Sequence, residues 1–209
     1  MEIAVESKEH WEKVYQTKAP EAVSWFAPHL ETSLKLIEKA APKKLSKFID
    51  VGGGESTLVD DLLNRGYKNI SVLDISQTAI DVAKRRLGNA EKLVQWYCDD
   101  IAVAKLPDSY FDVWHDRAVF HFLTNPEHRL MYVKQVLRSV KLGGHIIVST
   151  FGPEGPEKCS GLDVVRYDAE ELHDQFGGEF KLIKSSTEIH QTPFGTDQQF
   201  LYCYCRLER

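Results

Sequence analysis

An acidic residue directly before a glycine-rich turn is the feature of this sequence with the clearest chemical meaning. Asp50 lies in a short apolar run, which then breaks into three glycines: Gly52, Gly53 and Gly54. Glycine has no Cβ and accepts positive φ, so the backbone can approach a ligand closely there. An amphipathic segment follows, and the free N–H groups at the start of a helix attract polar or anionic groups. A phosphate site would not place a carboxylate beside its ligand, so Asp50 indicates a ligand with positive charge.

The next three predicted strands also end in polar residues. Asp74 ends the second strand, Asp100 and Ile101 follow the third, and Asp116 and Arg117 follow the fourth. Ligands of open α/β sheets bind beyond the carboxyl ends of the strands, so we expect these residues to converge. A carboxylate after the second strand can accept two ribose hydroxyls, and one after the third can accept the adenine amine. The four strand ends describe an adenosine with a charged tail, such as S-adenosylmethionine.

Each of these residues also has a simpler interpretation. Gly53 or Gly54 can serve only a tight bend, and Asp74 can cap a helix. One of Asp99 and Asp100 can be only solvated. The ordered set is more specific than any member, because each residue follows its own predicted strand.

Strand and helix patterns alternate along most of the chain. We predict strands over residues 48–51, 69–74, 93–97, 110–115 and 145–150, and helices over 31–41, 57–65, 77–87 and from 126 onward. Strands separated by helices need crossover connections, which produce a parallel sheet covered on both faces. Residues 180–189 and 198–207 are joined by too short a segment for a crossover helix, so we predict an antiparallel hairpin there.

Short motifs mark the ends of several elements. Gly143 and Gly144 predict a turn before the fifth strand, and a loop with glycines and prolines follows that strand over residues 152–166. Ser76 can cap the helix over 77–87, and Asp168 and Glu171 have capping-box spacing for a further short helix.

Composition limits the class of protein. The chain has 209 residues, 43% of them hydrophobic, which predicts a single domain over residues 1–209. A net charge of −5 argues against a nucleic-acid-binding face. The sequence shows no signal peptide and no run of about 20 apolar residues, so we expect no membrane segment. Four cysteines without zinc spacing predict reduced thiols, no metal site and a cytoplasmic protein. We expect a monomer or homodimer.

The motifs resemble those of class I, Rossmann-like S-adenosylmethionine-dependent methyltransferases. Residues 50–56 match the first motif of that family, acid-x-Gly-x-Gly-x-Gly, with Ser56 in place of the last glycine. Asp74 and the pair Asp100-Ile101 match its next two motifs. The resemblance runs from about Trp11 to the final hairpin. It implies a three-layer α/β fold whose seven-stranded, mostly parallel sheet ends in an antiparallel hairpin, with S-adenosylmethionine as cofactor.

The N-terminal aromatic residues narrow the resemblance. Trp11, Tyr15 and Trp25 are similar to the Trp-x-x-x-Tyr and Trp-Phe segments of a subgroup that includes some protein-lysine methyltransferases. The resemblance implies that residues 1–30 cover the cofactor and that these aromatic rings contact its methionine end, where cation–π attraction contributes about 0.5–2 kcal/mol. The alternative is that they only pin the N-terminus to the core. The full set of implied cofactor-binding residues is Trp11, Tyr15, Trp25, Asp50, Gly52, Gly53, Gly54, Asp74, Ile75, Asp100, Ile101, Asp116 and Arg117.

Methyl transfer by in-line displacement needs an aligned, unprotonated nucleophile. Asp116, His115 and His121 are the candidate bases, and we name Asp116 and His121 as catalytic. Alternation in a strand makes His115 and Asp116 point in opposite directions, so only one should face the site. His121 can equally be a core histidine, and Arg117 can bind the cofactor carboxylate, bind an anionic substrate or pair on the surface.

The acceptor stays open between a small molecule and a protein lysine. The sequence lacks an Asn-Pro-Pro-Tyr type of motif, which argues against DNA and glutamine amides. Two other functions also stay open. A nicotinamide-dependent oxidoreductase fits the spacing of Gly52, Gly54 and Asp74, but Thr57 stands where the dinucleotide motif needs glycine or alanine. A non-catalytic S-adenosylmethionine-binding module fits the same pocket.

Overall fold

The computed structural model describes residues 2–208, with side chains for residues 7–208. Its helices are α1 (Glu2–Thr17), α2 (Glu31–Ala40), α3 (Leu58–Asn64), α4 (Gln77–Leu87), α5 (Pro126–Ser139) and α6 (Ala169–Phe176). Its strands are β1 (Lys47–Val51), β2 (Asn69–Asp74), β3 (Val94–Cys98), β4 (Phe111–Arg117), β5 (Val140–Phe151), β6 (Lys158–Cys159), β7 (Leu162–Asp163), β8 (Phe180–Gln191) and β9 (Asp197–Leu207).

Seven strands form one sheet in the order β3-β2-β1-β4-β5-β9-β8. The first five are parallel, whereas β9 runs antiparallel to both β5 and β8. The strand order therefore reverses between β1 and β4, which is where open α/β sheets bind ligands. This topology confirms the predicted mostly parallel sheet with its C-terminal antiparallel hairpin.

Hydrophobic cores on both faces of the sheet give three layers. Successive side chains of a strand point to opposite faces, and Phe48 and Ile49 of β1 belong to different cores. The core around Phe48 includes Leu34 of α2 and Leu62 of α3. The core around Ile49 includes residues of α5 and α6.

Two segments contain secondary structure that the sequence analysis did not predict. The N-terminal segment, for which we predicted no helix, forms α1, and Val14 on it is buried. The segment 152–166 after β5 contains the small hairpin of β6 and β7. The helix α1 depends on contacts with distant residues, which a local sequence pattern does not reveal, whereas the small hairpin pairs residues close in sequence that we did not recognise as strands.

Two strands also differ from prediction in their bounds. β4 continues through Asp116 and Arg117, which we had placed after the strand. β5 begins at Val140 and includes Gly143, and its pairing with β4 shifts register between Phe111 and Val113. The glycine turn that we expected before this strand therefore lies within it, where the pairing with β4 is irregular. Every helix within residues 2–208 is too short or too polar to cross a bilayer.

Candidate functional site

A cavity of about 710 Å³ lies at the carboxyl ends of the parallel strands. That volume is typical of small-molecule sites, which span about 300–1,000 Å³. A smaller cavity of about 50 Å³ adjoins it, and the two share Tyr15, Trp25, Gly52 and Arg117 in their walls. The predicted convergence of strand ends is therefore present in the structure.

The glycine turn shapes the wall between β1 and β2. Gly52 has φ +70° and donates from its backbone N to Leu73 O at 2.7 Å. A Cβ on Gly54 would lie 2.7 Å from Asp74 Oδ2, far inside normal contact. The turn thus needs residues without side chains, and it presents backbone rather than side chain to the cavity.

Asp74 lies in the wall of the large cavity at the end of β2. Its Oδ2 accepts a hydrogen bond from Gly54 N at 3.0 Å, and its Oδ1 accepts one from Ser76 N at 2.9 Å. Burial raises the pKa of Asp74 to about 6, although these hydrogen bonds oppose the shift. A carboxylate offers about four acceptor positions, so each oxygen can still accept one bond from a ligand.

Asp50 is held by a neighbour that the sequence analysis did not assign to it. His115 donates from Nδ1 to Asp50 Oδ1 at 2.7 Å, and its Nε2 lies 2.8 Å from Ser33 Oγ. Asp50 and His115 are paired across the parallel strands β1 and β4, so the strand register was the missing signal. Asp50 Oδ2 is buried and has no hydrogen-bond partner among the described residues. We call such atoms open.

Glu55 is a second carboxylate that the sequence analysis missed. It lines the small cavity together with Asp50, and both of its oxygens are open in the described part of the chain. Burial raises the pKa of Glu55 to about 7; the positive charge of Arg86 opposes that shift, and the charge of Asp74 adds to it. An uncompensated buried carboxylate is costly, so both acids favour a cationic group beside the glycine turn.

Arg117 supplies the opposite charge where the two cavities meet. It donates from Nη1 to Trp25 O at 3.1 Å and from Nε to Tyr202 Oη at 3.3 Å. Its guanidinium also lies 4.2 Å from the centre of the Phe200 ring. Nη2 is buried and open with respect to residues 2–208. The site therefore presents both acceptors and a donor, as recognition of a zwitterion requires.

The predicted residues after β2 and β3 lie at the other end of the large cavity. Ile75, Asp99, Asp100 and Ile101 all belong to its wall. Asp100 Oδ1 accepts a hydrogen bond from Ala102 N at 2.8 Å, which fixes the carboxylate within its turn. The side chain keeps further acceptor positions for a ligand amine.

The N-terminal aromatic residues both pack together and line the cavity. Trp11 lies 5.7 Å from Trp25 and 5.0 Å from Phe122 between ring centres, and Tyr15 lies 6.4 Å from Trp25. Trp11, Tyr15 and Trp25 all belong to the large cavity wall. Burial and the charges of Asp74 and Glu55 raise the pKa of Tyr15, so its hydroxyl is neutral.

The structure does not bring Asp116 or His121 into the walls that the described residues form. Asp116 accepts hydrogen bonds from Tyr132 Oη at 2.6 Å and Val119 N at 2.9 Å, and burial raises its pKa to about 6. His121 accepts one from Phe151 N at 3.2 Å, and burial lowers its pKa to about 3. As predicted for neighbouring strand residues, only one of His115 and Asp116 faces the site: His115 lines the small cavity.

The described side chains offer no cluster of three or more His, Cys, Asp or Glu residues that could hold a metal ion. All four cysteines are free thiols, and Cys159, Cys203 and Cys205 are buried. The cavity walls therefore combine carboxylates, one guanidinium, backbone groups and aromatic rings with the imidazoles of His10, His115 and His128 and the thiol of Cys159.

Comparisons with known proteins point to one family. Residues 49–148 match the family model described as a methyltransferase domain. The eEF1A lysine and N-terminal methyltransferase of Mus musculus is 28% identical over 141 residues, which cover 68% of this chain and 20% of that protein. The EEF1A lysine methyltransferase 2 of Homo sapiens is 24% identical over 201 residues, which cover 87% of this chain and 77% of that protein. The chain thus spans about a fifth of several curated relatives.

Solved structures share the fold at low sequence identity. A methyltransferase from Anabaena variabilis has a TM-score of 0.74 at 14% identity, covering 99% of this chain and 95% of that one. The N-methyltransferase NodS from Bradyrhizobium japonicum, solved with S-adenosylhomocysteine, has a TM-score of 0.70 at 14% identity and covers 99% of both chains. These similarities confirm the predicted fold.

Proposed function

We propose that this chain, which has the fold and the methyltransferase-domain pattern of class I S-adenosylmethionine-dependent methyltransferases, binds S-adenosylmethionine and transfers its methyl group. The comparisons support the cofactor and reaction predicted from the sequence. The observation that carries the proposal is the charge pattern of the joined cavities. Asp50 and Glu55, which carry open acceptors, line the small cavity, and Arg117, which carries the open donor Nη2, lines it as well.

The residues fit the parts of the cofactor in the order of the strands. We assign the adenine to Asp100 and Ile101, and the ribose hydroxyls to Asp74. We assign the ammonium of the methionine end to Asp50 and Glu55, and the carboxylate of that end to Arg117. The predicted N-terminal cofactor-covering segment, residues 1–30, would hold Trp11, Tyr15 and Trp25 against that end as part of a single domain.

When bound, S-adenosylmethionine supplies a methyl group on a sulfonium, which is already a good leaving group. The chain then has to align the acceptor and exclude water. Alignment can contribute roughly 7–11 kcal/mol to lowering the barrier. The aromatic rings of Trp11, Tyr15 and Trp25 close one side of the cavity, and the segment after β4 closes another.

The catalytic roles of Asp116 and His121, and the cofactor contact of Asp116, stay predictions. The hydrogen bonds of Asp116 instead fix Val119, which lines the large cavity, in its turn. Mutation of Asp116 should then act through the shape of the cavity.

The acceptor is a small molecule or a protein lysine. The acceptor side of the large cavity is apolar at Phe122, Leu123 and Leu162, with His128 and Asp163 beside them. Of the two relatives named above, one is a lysine and N-terminal methyltransferase and the other is a lysine methyltransferase, which supports a protein lysine as one candidate. We propose no nucleic-acid substrate, because the net charge is −5.

We propose a cytoplasmic protein, since all four cysteines are free thiols. A monomer or a homodimer is compatible with this proposal.

Ligand-dependent thermal shift separates the candidate functions. S-adenosylhomocysteine should raise the unfolding temperature, whereas NADH should not, because a ligand stabilises the native state that binds it. The open carboxylate of Asp50 at the glycine turn would repel a pyrophosphate. Stabilisation by NADH alone would establish the oxidoreductase alternative.

Incubation with methyl-labelled S-adenosylmethionine and cell extract then tests transfer. Label in the protein fraction identifies a protein acceptor, and label in the metabolite fraction identifies a small molecule. Cofactor binding without any labelled product would support the non-catalytic alternative.

A further inference from the structure

The carboxylate of Glu12 joins the N-terminal helix α1 to the start of α4. Glu12 Oε1 accepts a hydrogen bond from Gln77 N at 2.6 Å. Its Oε2 accepts hydrogen bonds from Thr78 N at 3.2 Å and from Ser76 Oγ at 3.1 Å. The first N–H groups of a helix have no partner within the helix, so a side chain from a distant segment supplies the acceptors that α4 needs.

The electrostatics of this contact favour an ionised Glu12. Negative charge is stabilised at the N-terminal end of a helix. Burial acts to raise the pKa of Glu12, but the hydrogen bonds from Thr78, Gln77 and Ser76 outweigh it and lower the pKa below its ordinary value. The carboxylate is therefore charged near neutral pH, when its hydrogen bonds are strongest.

Ser76 connects this contact to the cavity wall. Its side chain is fully buried; Oγ donates to Glu12 and accepts from Ala79 N at 3.2 Å. Its backbone N donates to Asp74 Oδ1 at 2.9 Å. One residue thus touches both the carboxylate of α1 and the carboxylate to which we assign the ribose.

The same helix covers the large cavity. Ser7, His10, Trp11 and Tyr15 of α1 line its wall, at the spacing of one helical face. Glu12 lies beside that face and is outside both walls formed by the described residues. The contact between α1 and α4 therefore helps to hold this part of the wall in place, together with the packing of Trp11 on Trp25 and Phe122.

We propose that Glu12 is a positioning residue that fastens α1 over the cofactor cavity and thereby slows ligand release. The inference rests on the proposed function, because it requires a ligand beneath α1. Since coupling between two binding events is reciprocal, a bound ligand should in turn strengthen the contact between Glu12 and α4. In this proposal Glu12 does not touch the ligand or the reacting atoms.

Release of S-adenosylhomocysteine tests the proposal through tryptophan fluorescence, since Trp11 and Trp25 border the cavity. Glu12→Ala should release the ligand about tenfold faster, the effect expected for loss of a charged hydrogen bond. Glu12→Gln keeps one oxygen acceptor and should give an intermediate rate. Glu9→Ala is the matched control, because Glu9 is exposed on the same helix, and it should match the wild type.

Amide hydrogen exchange separates positioning from general stability. In Glu12→Ala the amides of Gln77 and Thr78 should exchange faster than in the wild type, and S-adenosylhomocysteine should protect them in the wild type only. Equal acceleration throughout the fold would show a merely structural role and overturn the proposal. Binding with unchanged release would overturn it as well. No binding to the wild type would overturn the proposed function and this inference together.

Discussion

Buried carboxylates characterise the site at the scale of single residues. Asp50, Glu55 and Asp74 lie around one glycine turn and are almost fully buried. Burial of a charge is expensive unless a partner compensates it, and Asp50 and Glu55 both carry open oxygens among the described residues. A positively charged ligand would provide that compensation. These residues therefore indicate ligand binding and do not by themselves stabilise the fold.

Asp74→Asn should weaken binding of S-adenosylhomocysteine by about 1–3 kcal/mol, the cost of losing hydrogen bonds to a charged acceptor. Isothermal titration measures this directly. The control is Asp174→Asn, which replaces an exposed carboxylate on α6 by an amide and should leave the affinity unchanged. An unaltered dissociation constant for Asp74→Asn would remove this residue from the site.

Glu55→Gln should stabilise the ligand-free protein at pH 8 and weaken ligand binding. Burial raises the pKa of Glu55 to about 7 in the fold, above its ordinary value, so the folded state binds the proton more tightly than the unfolded state. Its contribution to stability therefore declines as the pH rises through the window between those values.

The variant removes that penalty, so its advantage in unfolding temperature should shrink toward pH 5. Differential scanning fluorimetry of the variant and the wild type between pH 5 and pH 8 measures this difference in unfolding temperature. A lower unfolding temperature than the wild type at pH 8 would contradict the assignment of an uncompensated charge to Glu55.

The sequence identified part of this site and missed another part for definable reasons. Asp74 and Asp100 were predictable, because each follows its own strand. Glu55 was missed because it sits inside a turn, where local patterns do not report burial. The contact between Asp50 and His115 depends on the register of two strands that are distant in sequence. Catalysis by Asp116 was predicted from position alone, whereas the extension of β4 places it in the interior.

At the scale of elements, local signals predicted helix ends well. Ser76 caps α4, as expected, by accepting a hydrogen bond from Ala79 N. Asp168 and Glu171 form the predicted capping box of α6. Such motifs involve residues three apart, so the sequence contains all their parts. In contrast, α1 is held by contacts with α4, which lie more than 60 residues away.

Asp168→Ala should lower the free energy of unfolding by about 1 kcal/mol, the usual effect of losing a helix cap. Both hydrogen bonds of the box, from Glu171 N to Asp168 Oδ1 and from Asp168 N to Glu171 Oε2, are present. Urea denaturation measures the change, with Asp174→Ala on the same helix as control. Cofactor affinity should be unaffected, because α6 contributes no residue to either described cavity wall. A stability equal to that of the control would refute the capping role.

At the scale of the whole molecule, the reversal of strand order brings the chemistry together. β1 and β4 lie side by side, which places Asp50, the glycine turn and Arg117 around one point. The N-terminal helix and the segment after β4 then close the sides of the cavity. The sheet was predictable from alternating patterns. A cover formed by residues 1–30 was expected only from the resemblance of the N-terminal aromatic residues, and the helix α1 within it was not predicted, because α1 depends on tertiary packing.

A crystal structure of the chain with S-adenosylhomocysteine tests this account most directly. We predict the ribose hydroxyls at Asp74, the adenine beside Asp100 and Ile101, and the ammonium within hydrogen-bond distance of Asp50 Oδ2 or Glu55. Density for the ligand outside these cavities, or an ammonium far from both carboxylates, would contradict the claim that buried acids at the strand ends recognise the methyl donor.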